Sequence, residues 1–204
     1  WEYEKNKSLT SFQRLMSRVK DGHIGVPLNA LAVSLGGVPA EAVIRGMYYP
    51  GRLERTYGVK FPMAYCIENA TMPYGVASLW AGAGAKYSWN GICRCATKIP
   101  SAAKRENEIY WWTGPDGSRI LMKWYSMVGN NRRLGGYAEL WNPTTAVTDC
   151  VKKMGAANYP YEAAAAFGQG WDNLTTMKDN VVKAAKASST TTLKVYVSNE
   201  ADFF

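Results

Sequence analysis

What most constrains this chain is the order of its apolar patterns. Stretches with a helical period alternate with short apolar runs of strand length, and glycines and prolines punctuate both. Phe12, Leu15, Met16 and Val19 fall at i, i+3, i+4, i+7 and predict a helix from about Ser8 to Lys20, ended by Gly22. A short strand is expected over His23-Ile24-Gly25-Val26. A helix should open at Pro39, run through Val43, Ile44 and Met47 to about Tyr57, and be capped by Gly58. Pro62 to Ile67 has the length and composition of a strand. Pro73 opens a helix carrying Val76, Leu79, Trp80 and Ala83, closed by Gly84, and Ala85 to Trp89 is the next strand. Glu108 to Thr113 and Arg119 to Trp124 flank Gly114-Pro115-Asp116-Gly117-Ser118, a turn sequence that predicts a hairpin. Further on come a helix from about Thr145 to Met154 with Gly155 as its cap, a strand from Tyr161 to Phe167, a helix from Thr176 to Ala187 and a strand from Leu193 to Val197.

Strands alternating with helices predict an α/β fold: a mostly parallel sheet with helices on both faces, plus one hairpin. At 204 residues this is one domain, long enough to bury a core. The chain opens Trp1-Glu2-Tyr3 without a Met and closes on Phe203-Phe204. It therefore reads as residues 1–204 of a single α/β domain, truncated at its start and followed by further domains in a longer protein. No apolar run approaches the ~20 residues of a membrane span, so no membrane partner is expected.

The charge balance narrows the partners. Lys and Arg number 24 against 16 acids, for a net charge of +8. The cations are scattered, with small clusters at Lys104-Arg105, Arg132-Arg133 and Lys152-Lys153. A solvated surface fits this scatter better than a nucleic-acid footprint, which stays as an alternative. Eight Trp and 13 Tyr against 5 Phe tilt the aromatics towards rings with a polar tip. Such rings stack on sugars, and they also serve cores. Of the four cysteines, Cys93 and Cys95 are too close for a zinc or thioredoxin-type pair, and His23 is the only histidine. Free thiols are expected.

In parallel sheets ligands sit beyond the carboxyl ends of the strands. That selects Pro27 to Asn29, Glu68-Asn69 and Gly168 to Asp172. Glu68 is either a nucleophile, an acid/base or a metal ligand, or a charge that complements the dipole of the helix that follows. Trp171 beside Asp172 and Asn173 offers a stacking plane next to hydrogen-bonding groups, the means by which a pyranose is gripped. Asp172 or Asn173 could equally cap the next helix.

Tyr110-Trp111-Trp112-Thr113-Gly114-Pro115-Asp116-Gly117-Ser118-Arg119-Ile120-Leu121 resembles a segment of glycoside hydrolase family 38, the retaining α-mannosidases. Glu41 to Gly46, Glu68 to Gly84 and Val197 to Phe204 resemble other segments of that family, in the same order. The resemblance implies an N-terminal α/β domain followed by helical and β-domains. It implies zinc held by a His-x-Asp, by the nucleophilic Asp and by a distant His. It implies, too, a glycosyl-enzyme intermediate. The nucleophile position falls on Glu68, or on Asn69 with a one-residue shift. Neither is Asp, and Glu is longer by about 1.5 Å, where geometry matters to ~0.5 Å. His-x-Asp is absent, since His23 is followed by Ile24-Gly25. The expectation is a glycoside hydrolase acting on a carbohydrate substrate within the longer protein. Glu68 is its catalytic residue and a metal ligand, and Asn69, Trp171 and Asp172 bind substrate. The remaining zinc ligands lie outside this segment, so the segment alone is expected to be inactive. The alternative is a carbohydrate-binding relative that has lost the nucleophile.

Overall fold

A computed structural model describes residues 1–29, 35–67, 72–92, 109–126, 143–155, 159–165 and 179–204. Among them is a four-stranded sheet: β1 (Met63–Ile67), β2 (Tyr87–Ile92), β3 (Ile109–Thr113) and β4 (Arg119–Ser126), ordered β1-β2-β4-β3. β1, β2 and β4 run parallel, and β3 returns antiparallel along β4. The helices are α1 (Glu2–Lys7), α2 (Leu9–Lys20), α3 (Ala40–Arg45), α4 (Tyr48–Tyr57), α5 (Val76–Gly82), α6 (Pro143–Met154) and α7 (Asn180–Ser188).

The alternation along the strands divides the core between the two faces of the sheet. Ala64 and Ile120 look to one face, where Phe12, Met16 and Val19 of α2, Leu53 of α4 and Trp80 of α5 are buried. Met63, Tyr65 and Trp89 look to the other, against Cys150 of α6 and the terminal Phe203 and Phe204. Phe204 lies flat on Tyr87, ring centres 4.9 Å apart, and Phe203 meets Trp89 edge-on at 5.3 Å. The mostly parallel sheet with helices on both faces is thus the observed fold.

The expected hairpin is present, and its turn is fastened twice. The Gly114 amide donates to the Ser118 carbonyl at 2.7 Å, and Gly117 takes the left-handed conformation (φ +83°) that a side chain would strain. The turn then docks on α5. The Ser78 hydroxyl donates to Asp116 at 2.5 Å, and Asp116 also accepts from the amide and hydroxyl of Ser118. Those donors, Ser78 first, hold the Asp116 carboxyl below the usual carboxylate range. A carboxyl group of lowered pKa stabilises the fold above its unfolded value, near pH 4, and loses that contribution as pH falls through the folded value. Thermal melts between pH 7 and pH 2 should therefore fall less steeply below about pH 4 for Asp116→Asn than for the parent. Parallel acid limbs would refute the role of this carboxylate.

Several expected elements differ, each for a physical reason. The helix expected over 39–57 is two helices, α3 and α4, broken at Gly46-Met47. Pro50 has no N–H to give the Gly46 carbonyl, and its ring would strike it, so the chain restarts a turn earlier. Gly58 does end α4 in the left-handed conformation. Helix α1 lacks an apolar stripe and buries nothing, so periodicity misses it. Its Glu2 and Glu4 lead and its Lys5 and Lys7 trail, as the helix dipole favours. Residues 23–26 form no strand, and neither do 161–165, the described part of the strand expected over Tyr161 to Phe167. Alanines give that run little to pack on a pleated surface. Leu193 to Val197 is also not a strand. The Thr190 hydroxyl takes the Leu193 amide at 3.0 Å and the Ser189 hydroxyl takes the Val195 amide at 3.0 Å. Side-chain oxygens at the end of α7 thus satisfy a backbone that would otherwise seek a ladder.

Candidate functional site

Because β1, β2 and β4 are parallel and in register, their carboxyl ends form one edge, with Ile67 beside Gly91 and Gly91 beside Tyr125. Glu68 is the next residue in the chain after Ile67, the last of β1. Glu68, Asn69, Trp171 and Asp172 themselves lie outside the described residues. The strand expected before Glu68 and Asn69 is present as β1, whereas the described part of the strand expected before Trp171 and Asp172, residues 161–165, is irregular.

One rung below this edge, the structure shows how β1 is held. The Asn29 carboxamide behaves as a strand residue would. Its oxygen accepts from the Tyr65 amide at 2.8 Å and its nitrogen donates to the Tyr65 carbonyl at 2.8 Å. The Leu28 amide donates to the Met63 carbonyl at 2.8 Å, so the chain at 28–29 runs along the outer edge of β1. The same rung continues through Trp89 and Lys123 to Ile109, whose amide donates to the Tyr161 hydroxyl at 2.7 Å. Asn29 was selected from sequence as a residue at the ligand edge. Its described contacts give it a structural job there, fixing the strand that leads to Glu68.

Replacing Asn29 by Ala should destabilise the protein by about 3 kcal/mol. A buried amide and a buried carbonyl would both lose their partner, at about 1–3 kcal/mol each. Urea unfolding measures this, and a loss under 1 kcal/mol would mean that water replaces the carboxamide freely.

Sequence reasoning missed Lys123. It is 1% exposed on β4, between Trp89 and Ile109 in register, with Nζ 6.0 Å from the centre of the Tyr161 ring. Its only sequence signal is a charge in the middle of an apolar strand, which pattern reading places on a solvent face. Among the described residues no three His, Cys, Asp or Glu side chains converge in a way that would hold a metal ion. The described residues supply no ligand set for zinc.

The class defined by these elements is an α/β domain with a parallel sheet whose carboxyl ends share an edge. Comparison with known proteins places it more narrowly, by fold. No protein-family model and no curated protein matches the sequence. Among solved structures, it is similar to a protein in glycosyl hydrolase family 38 from Enterococcus faecalis. The TM-score is 0.56 and the identity 12%, over 98% of this chain and 20% of that one. It is also similar to 4-alpha-glucanotransferase from Thermococcus litoralis. There the TM-score is 0.54 and the identity 14%, over 82% of this chain and 24% of that one. At such identities the likeness is a distant one of fold alone. The chain spans about a fifth to a quarter of the length of these proteins.

Proposed function

We propose that this chain is part of a longer glycoside hydrolase of the α-mannosidase-like type, with Glu68 as its nucleophile. The observation that carries the reading is the parallel β1, β2 and β4, whose aligned carboxyl ends put the end of β1 immediately before Glu68. The fold likeness to a family 38 protein over nearly the whole chain supports the same reading.

The chemistry is a double displacement. The Glu68 carboxylate attacks the anomeric carbon, and the bond to the leaving oxygen breaks as a carboxylic acid about 5 Å away gives that oxygen its proton. The resulting glycosyl ester is then hydrolysed by water, which loses its proton to the same second residue. Asn69 and Asp172 hydrogen-bond sugar hydroxyls in this reading, and Trp171 stacks on the ring. A divalent metal, zinc, belongs to the longer protein, with Glu68 the ligand this segment offers.

The test is turnover of aryl α-mannosides by the full-length protein, with and without added zinc. Measurable kcat/KM on these substrates is expected. Binding of mannosides without turnover would replace this reading by that of a carbohydrate-binding relative.

A further inference from the structure

A pocket of about 380 Å3 opens at the amino end of β1, away from the edge that leads to Glu68. Its volume is within the ~300–1,000 Å3 of small-molecule sites. Helices α2 and α4 both finish here, and the negative ends of their dipoles lend it partial negative charge. Inside stands the Glu200 carboxylate, half-buried and close enough to the Tyr65 phenol to act on its charge. Burial, and then Glu200 itself, raise the Tyr65 phenol above its ordinary pKa, so it stays a donor. Glu200 makes no ion pair among the described residues. A half-buried carboxylate with no ion partner among the described residues, set at the negative ends of two helices, favours a cation beside it.

The rest of the lining suggests what brings that cation. Lys20 and Lys60 line the pocket from exposed positions, and Val19, Val59 and Met63 form a buried apolar wall. Lys20 Nζ reaches to 3.9 Å from where a Gly58 Cβ would stand. Gly25 leaves space beside the carboxylate, since a Cβ there would lie 3.8 Å from Glu200 Oε2. One interior carboxylate, two lysines on more exposed ground and an apolar wall match a small zwitterion. We propose that this pocket binds a free α-amino acid with an apolar side chain. Its ammonium sits on Glu200, its carboxylate faces Lys20 and Lys60, and its side chain lies against Val19, Val59 and Met63.

The site is independent of the glycosidase reading, and its test uses other probes. Calorimetric titration of the protein with L-leucine should show binding. 4-Methylpentanoate, which lacks the amine, and 3-methylbutylamine, which lacks the carboxylate, should each bind at least about tenfold more weakly, the size of one charge-assisted contact. Glu200→Gln removes the carboxylate charge. It should weaken leucine and 3-methylbutylamine by about tenfold and leave 4-methylpentanoate unchanged. Gly25→Ala adds a methyl in ordinary van der Waals contact, so the fold tolerates it while the ammonium loses its space. It should also weaken leucine. Absence of leucine binding to the parent overturns the proposal, as does unchanged leucine affinity in both variants.

Discussion

Glu68→Gln in the full-length protein is expected to lower kcat/KM on aryl α-mannosides at least about a thousandfold, since a retaining hydrolase without its nucleophile keeps only binding and electrostatics. Gln is nearly isosteric, so the loss reads out charge and nucleophilicity more than shape. A carboxylate that merely complements a helix dipole is worth only about 0.3–1 kcal/mol, and its amide would leave turnover within a few-fold. A second variant separates nucleophile from acid. In Glu68→Ala, azide can take the vacant place, attack the anomeric carbon and expel the aryloxide, giving the β-mannosyl azide. An acid/base residue at position 68 would give the α-azide instead. Unchanged turnover in Glu68→Gln would move catalysis away from β1 and leave the carboxylate a structural part.

Gly114→Ala is expected to be the most destabilising of the single-methyl changes considered, at about 3 kcal/mol. A Cβ on Gly114 would stand 2.1 Å from the Ser78 hydroxyl oxygen and 2.8 Å from the Ser78 backbone nitrogen. The hydroxyl could turn away, but the nitrogen belongs to α5 and cannot. The hairpin would have to lift off the helix, and the Ser78–Asp116 hydrogen bond would break with it. Denaturant unfolding measures the loss. Adding Ser78→Gly should recover part of it, because one of the two clashes then disappears, and that coupling is a property of residues in contact. A Gly114→Ala protein as stable as the parent would mean that the turn does not rest on α5.

These two sites show what was legible in the sequence. The hairpin and the strands β1 and β2 were, because apolar runs bounded by glycine and proline leave few alternatives. The break at Gly46 was also written, in Pro50, but only for a reader who places the missing donor four residues back. Leu193 to Val197 misled because its apolar alternation is real, while the hydroxyls of Ser189 and Thr190 that claim its amides lie outside the run. The role of Asn29 along β1 escaped for a related reason: a side chain doing a backbone's work has no period. Of the candidate site, the strand that leads to Glu68 was legible, while Glu68, Asn69, Trp171 and Asp172 lie outside the described residues. The Gly-Pro-Asp-Gly-Ser run, one of the four segments that carry the family resemblance, joins a hairpin to a helix. A resemblance of that kind reports architecture before chemistry.

The rung through Tyr65 bears on association as well. An open sheet exposes two outer strands, and each is a template on which a foreign strand can grow. Here each outer strand is met on that rung by a side chain: the Asn29 carboxamide on β1 and the Tyr161 hydroxyl on β3. A side chain can occupy one position of a ladder, but it offers no backbone of its own to continue it. Among the described residues the sheet has four strands, and on that rung a foreign strand would have to displace a side chain at either edge.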